Sequence, residues 1–146
     1  MSGWGPSIGV LYRDESQVLF VVQTGRHSNC GGIARITVRG ARNSAPSSEV
    51  IDACSREATA PYRESAIAAL RGRLGHEQGL RATIEDDYDH PVDLSRSKFA
   101  DAGHLAGAFL GAWNHSPSAL DSELIAMAWE EEERRFAIAL STTSDD

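Results

Sequence analysis

Residues 86–95, Asp-Asp-Tyr-Asp-His-Pro-Val-Asp-Leu-Ser, end a predicted strand and open a predicted helix. The stretch places four carboxylates, one imidazole and one serine hydroxyl in a single predicted turn. Such a group of side chains can bind a partner, bind a hard cation or transfer a proton. We therefore take this turn as the candidate functional segment of the chain.

Two helices flank the turn. Upstream, a helix is predicted over about residues 60–74, with Thr59 as a possible cap and Pro61 in its first turn. Residues 80–84 form a strand that leads from this helix into the turn. Downstream, Ser95 is the predicted N-cap of a second helix whose apolar residues recur at helical spacing: Phe99, Ala102, Ala106, Phe109, Leu110 and Trp113.

The N-terminal third of the chain reads as strands. Residues 7–13 and 17–23 are β-branched and aromatic runs, and residues 35–39 alternate polar with apolar side chains, so that Arg35 and Arg39 should face water. The sequence thus predicts an α+β fold, in which a sheet of four or more strands carries two helices on one face.

The segment 122–140 supports two interpretations. Its glutamates, arginines and alanines favour one long helix, whereas the apolar runs 124–129 and 136–140 could form a hairpin of two strands around a solvated acidic turn at 130–133. We favour the hairpin, because it agrees with the resemblance described below. Residues 141–146 are expected to be a frayed tail.

The chain has 146 residues, which suits one domain spanning residues 1–146. Its start lacks the basic and apolar regions of a signal peptide, and Cys30 and Cys54 are too few and too far apart for a disulfide framework. We expect a cytoplasmic protein with free thiols, no membrane partner and no cofactor.

Charge is unevenly distributed along the chain. The formal net charge is −7, which disfavours a general nucleic-acid binder. Residues 1–43 nevertheless hold five arginines against two acidic residues, a balance of +3 that leaves −10 on the rest. A basic face toward RNA and a solvated strand pair are both compatible with this pattern.

Residues 90–103 follow the pattern His-x-Val-Asp-x-Ser-x-x-x-Phe-x-x-Ala-Gly. This pattern resembles domain IV of elongation factor G and its relatives, including the ribosomal-protection tetracycline resistance proteins. Residues 10–15 resemble the opening Val-Ala-Tyr-Arg-Glu segment of that family, and Gly31-Gly32 stand where it has paired glycines. Residues 61–62 resemble its helix start, and residues 124–127 the strand by which it leaves domain IV. The resemblance covers about residues 7–129.

The resemblance implies a ribosomal-protein-S5-domain-2-like fold standing free of the rest of the factor. It also implies a tip that enters the ribosomal decoding site, formed by Tyr88, His90, Asp93 and Ser95 together with the Gly31-Gly32 loop. The chain departs from the family at Leu94, where the family has serine, and in its shorter glycine loop. It has no Walker-type loop, so GTP binding is not expected.

Two functions therefore compete. The first is a non-catalytic module that binds the ribosome or a translation component, for example in self-protection. The second is a small enzyme of specialised metabolism in which His90 acts with Asp89 or Asp93 as a general acid and base on a small molecule.

Ser95 could also be only a helix cap, and Asp93 only a favourable charge at a helix N-terminus. No calcium-loop spacing accompanies the aspartates, so no metal is expected. An apolar open sheet face would favour a homodimer.

Overall fold

The computed structural model describes residues 7–25, 32–88 and 94–144, with side chains up to residue 138. Within these residues, five strands form one sheet in the order β1-β2-β3-β5-β4, accompanied by three helices. Strand β4 runs parallel to β5, and the other neighbours are antiparallel. The strands are β1 (Ser7–Arg13), β2 (Gln17–Gly25), β3 (Ile33–Arg42), β4 (Glu49–Asp52) and β5 (Leu80–Asp87). The helices are α1 (Ala60–Leu74), α2 (Arg96–His115) and α3 (Asp121–Ser144).

The predicted α+β class is confirmed, and the predicted bounds of α1 are those observed. Strands β2, β3 and β5 extend beyond their predicted ends. Strand β4 was not predicted, because it has four residues and contains only one pair of apolar side chains, Val50 and Ile51. Its pairing with β5 depends on the α1 crossover, which local patterning does not reveal.

The hairpin predicted for residues 124–140 is wrong, since a single helix, α3, covers the segment. Two related predictions are also wrong, because α3 includes both segments: the strand at 124–127 that the resemblance implied, and the solvated turn at 130–133. Leu124 and Ala128, four residues apart, are fully buried in the core, and Glu132 one turn later is 6% exposed. In a strand Ala126 would share the face of Leu124 and Ala128, but it is exposed, as expected for a helix. The predicted tail is also helical as far as Ser144.

The hydrophobic core lies between the sheet and helices α1 and α2. Alternate residues of the central strands point inward, and they meet apolar faces of both helices. Phe20 and Phe109 pack with ring centroids 4.6 Å apart, joining β2 to α2. The largest buried side chains include Trp113, Phe20, Phe99, Phe109, Leu70 and Leu105. Helix α3 packs on α2 and adds a further layer. No helix in the described part of the chain could cross a membrane.

The open face of the sheet is mixed in character. Arg39 bridges three strands, because its guanidinium donates to Glu85 at 2.6 Å and to Gln17 at 2.8 Å. Arg35 donates to Gln23 at 2.7 Å, and both arginines lie on the open face of the sheet, where they are partly exposed. Large apolar side chains of the outer strands are also exposed, among them Tyr12 at 48% and Ile51 at 38%. The homodimer through this face stays a prediction.

Candidate functional site

One end of the sheet gathers the segments that the sequence singles out. Ile33, at the start of β3, forms a parallel bridge with Leu94, just before α2. The Thr24 hydroxyl donates to the Lys98 carbonyl at 2.5 Å, and the Tyr88 N–H donates to the Arg35 carbonyl at 3.0 Å. The described residues that flank segments 26–31 and 89–93 are thus adjacent. We call this end of the molecule the loop end.

Three of the predicted site residues are described at the loop end. Tyr88 is half-buried, and the Arg35 guanidinium lies 4.8 Å from its ring centroid. Ser95 caps α2, since its hydroxyl accepts a hydrogen bond from the Lys98 N–H at 3.3 Å. Gly32 is buried with φ +85°. The other predicted residues lie outside the described part of the chain: Gly31, Asp89, His90 and Asp93.

Two glycines close the base of segment 26–31. Gly25 has φ +75°, and a Cβ added there would lie 2.0 Å from the carbonyl oxygen of Gly32. A side chain is therefore excluded on both conformational and steric grounds. Gly32, with φ +85°, also has a backbone conformation that favours glycine.

Asp86 and Asp87 belong to β5 and not to the predicted turn. An irregularity in the pairing with β3 places Asp86 opposite Thr37 while Ile84 lies opposite Val38, so Glu85 is an extra residue on its strand. Such a bulge reverses the alternation of side chains beyond it. Asp87 consequently points into the protein with its side chain 0% exposed, whereas the Asp86 side chain is 60% exposed.

The inward carboxylate of Asp87 meets a buried arginine of α1. Arg63 Nη1 donates to Asp87 Oδ2 at 2.9 Å, and Arg63 Nε donates to both carboxylate oxygens of Asp52 at 3.0 and 3.1 Å. The same guanidinium donates to the carbonyls of Cys54 and Arg56 and to the Thr59 hydroxyl. Arg63 and these five partners are called the Arg63 cluster below.

The Arg63 cluster changes the role expected for Thr59. Thr59 occupies the N-cap of α1 but makes no side-chain capping hydrogen bond. Its hydroxyl accepts from Arg63 Nη1 at 2.8 Å instead. A residue expected to cap the start of α1 thus stabilises the buried charge of Arg63 instead.

Arg56 adds a second cation at the same carboxylates. Its Nε donates to Asp87 Oδ1 at 2.9 Å and its Nη2 to Asp86 Oδ1 at 3.0 Å. Burial lowers the pKa of Arg63, but hydrogen bonds from its guanidinium to Asp87 and Asp52 outweigh this and raise the pKa above its ordinary value. The cluster therefore holds fixed charges in pairs, and its arginines are unsuited to proton transfer.

Three donor atoms in this region lie close enough to share a metal ion. Sγ of Cys54 and carboxylate oxygens of Asp86 and Asp87 lie within 4.8 Å of one another. The same aspartates already accept hydrogen bonds from Arg56 and Arg63, and the Cys54 thiol donates to Asp87 at 3.6 Å. The arrangement favours ion pairing over metal binding. A small cleft of about 240 Å³ opens beside it, lined by Ala53, Cys54, Ser55, Arg56, Glu85 and Asp86.

Sequence reasoning missed Arg63, Arg56 and Asp52. One signal was available for Arg63, which precedes Ala66 by three residues and Leu70 by seven and so lies on the apolar face of α1. A charged residue on such a face predicts a buried partner of opposite charge. The sequence does not reveal which carboxylate is that partner, because the bulge in β5 decides it.

Comparisons with known proteins leave the family open. No protein-family model and no curated protein matches the chain. One solved structure, of a protein from Thermus thermophilus, aligns with a TM-score of 0.45 and 13% identity, over 68% of this chain and 14% of the other. A similarity this low assigns neither a family nor a function.

Proposed function

We propose that the chain is a non-GTPase binding module that acts on the ribosome or on a translation component, for instance in self-protection. Its binding tip is formed by residues 88–95 and by the neighbouring Gly31-Gly32 loop. The motif over residues 90–103 is what suggests this partner. The proposal includes the S5-domain-2-like assignment and requires neither a cofactor nor a metal.

The observation that carries the proposal is the adjacency of the two loop bases. The hydrogen bond between Thr24 and Lys98 and the Ile33–Leu94 bridge connect the chain on both sides of segment 26–31 to the chain after segment 89–93. A binding surface made from two segments needs such a framework, because affinity is lost when each segment must be ordered on binding. The charges of Arg56, Arg63, Asp86 and Asp87 at this end are mutually paired, which suits a binding surface better than proton transfer.

Cosedimentation with ribosomes tests the proposal. The unaltered chain is expected to pellet with 70S ribosomes, and the double substitution His90→Ala and Asp93→Ala is expected to weaken binding at least about tenfold, as for loss of anchor residues at an interface. His76→Ala is the matched control, because His76 is exposed in the turn between α1 and β5, away from the loop end. An unaltered chain that stays in the supernatant, or a double variant that binds equally well, contradicts the proposal.

The substitution His90→Ala also tests the enzymatic alternative. An enzyme using His90 with Asp89 or Asp93 would show a pH profile with a limb near the histidine pKa, and that limb would disappear in His90→Ala. Turnover of a small molecule with this profile, without ribosome binding, would establish the enzyme in place of the binding module.

A further inference from the structure

Arg63 uses every nitrogen of its guanidinium. Nε contacts Asp52, Nη1 contacts Asp87, Thr59 and the Arg56 carbonyl, and Nη2 contacts the Cys54 carbonyl. The side chain is 4% exposed, and the Asp87 side chain is 0% exposed. A charge this deeply buried is tolerated only when its hydrogen bonds are satisfied.

The partners of Arg63 lie on two separate stretches of the backbone. Asp87 ends β5, whereas Asp52 ends β4 and leads directly into the connection before α1, which holds the remaining partners. Asp87 is followed directly by Tyr88, the first residue of the proposed tip. One planar cation thus joins the chain entering the tip to the strand beside it and to helix α1.

We propose that Arg63 is the positioning residue of the tip: through Asp87 it fixes the end of β5, from which the chain continues into the proposed tip at Tyr88. This role rests on the proposed function, since it concerns the same binding surface. Arg63 itself is buried and is not expected to touch the partner. Its influence passes through Asp87 and through the Tyr88 N–H, which is bonded to Arg35.

Lysine is a discriminating replacement for Arg63. It keeps the positive charge, but its single ammonium group has three donors and no planar fork, so it is unable to bind all five partners at once. Arg63→Lys should therefore preserve the charge of the cluster while freeing the end of β5. Asp87→Asn removes the same link from the other side with little change of shape.

Arg73→Lys is the matched control. Arg73 lies on the same helix ten residues later, and its guanidinium also binds two carboxylates, those of Glu77 and Glu131. Its side chain is 19% exposed, and its partners lie away from the loop end. A general loss of stability through a broken arginine network should be similar in the two variants.

The experiment combines amide hydrogen exchange with ribosome cosedimentation. In Arg63→Lys and Asp87→Asn, exchange of the amides of residues 86–88 and 94–98 should accelerate at least about tenfold relative to Arg73→Lys, as expected for local opening. Ribosome affinity should fall at least about tenfold further than in Arg73→Lys at an equal loss of stability. Combining Arg63→Lys with Asp87→Asn in one chain should accelerate exchange scarcely more than either substitution alone, because both remove the hydrogen bond between Arg63 and Asp87.

Exchange that rises evenly along the chain in all three variants, with equal losses of affinity, would overturn the positioning role. If Arg63→Lys and Asp87→Asn fail to fold, Asp52→Asn replaces them, since the Asp52 side chain is 32% exposed and its loss frees Arg63 Nε. Exchange at residues 86–88 should then again be faster than in Arg73→Lys. An unaltered chain that does not bind ribosomes defeats the proposed function, whereas the exchange pattern still decides the positioning role on its own.

Discussion

Glu77 is a buried carboxylate at the end of the molecule opposite the loop end. Its side chain is 5% exposed and accepts hydrogen bonds from Asn114 Nδ2 at 2.9 Å and Arg73 Nη1 at 3.1 Å, with His115 Nε2 also at 2.9 Å. Burial raises the pKa of Glu77, but the hydrogen bonds from Asn114 and Arg73 outweigh it, so the pKa lies below its ordinary value of 4.5. The folded protein therefore favours the ionised form.

This shift predicts a pH-dependent contribution to stability. A carboxyl group whose pKa is lowered by folding stabilises the protein fully above its unfolded pKa, and the stabilisation is lost as the pH falls through the folded pKa. Glu77→Gln should lower the free energy of unfolding by about 2 kcal/mol at pH 7, and the difference from the unaltered chain should shrink below about pH 4.5. Urea unfolding between pH 3 and pH 7 measures this.

Glu133→Gln serves as the comparison, because Glu133 is exposed on α3. It should change stability by less than about 0.5 kcal/mol at every pH. A Glu77→Gln effect that is constant from pH 7 to pH 3 would show that the carboxylate charge makes no difference.

Helices α1 and α2 approach each other closely at one glycine. A Cβ added at Gly103 would lie 2.3 Å from the carbonyl oxygen of Ala66 and 2.9 Å from its Cα. Both are backbone atoms, so relief would require the two helices to separate. The glycine that completes the motif over residues 90–103 therefore has a packing role that needs no partner to explain it.

Gly103→Ala should destabilise the protein by about 2 kcal/mol, because overpacking this contact strains two elements at once. Gly72→Ala is the opposite case on α1, since nothing lies within 4 Å of its added Cβ. It should stabilise the protein by about 0.5–1 kcal/mol through helix propensity. Denaturant unfolding of both variants measures the contrast. Equal changes in the two variants would mean that the helices are not this close.

At the scale of the whole molecule, ion pairs connect α3 to the sheet and to both other helices. Arg13 of β1 donates to Asp121 at 2.7 Å, Arg73 of α1 pairs with Glu131, and Arg135 pairs with Asp101 of α2 at 3.4 Å. Leu124 is 0% exposed and belongs to the main core cluster. Helix α3 is thus part of the cooperative unit, and we expect it to unfold together with the sheet.

Leu124→Ala should lower stability by about 3 kcal/mol, by loss of burial and formation of a cavity. Met127→Ala, in the next turn and 39% exposed, should cost less than about 1 kcal/mol. Thermal unfolding followed by both far-ultraviolet circular dichroism and tryptophan fluorescence should show one transition in each variant. A separate early transition for the helical signal would mean that α3 is an independent appendage.

The sequence alone determined the elements whose signal is local. The alternating strands, the bounds of α1 and the Ser95 cap of α2 follow from side chains a few residues apart, which the periodicity of a strand or helix relates directly. The tertiary structure decided between helix and hairpin for residues 124–140, because packing on α2 outweighed the β propensity of the two apolar runs.

Only the tertiary structure assembled the Arg63 cluster. Arg63 was predictable as a charge on an apolar face, but its partners Asp52 and Asp87 lie on β4, which was not predicted, and beyond a bulge in β5. One extra residue in that strand decides which of two adjacent aspartates is buried. Local patterns encode where each side chain points relative to its neighbours. Which charged side chains form ion pairs depends on how segments distant in sequence pack together, and only the complete tertiary structure determines that.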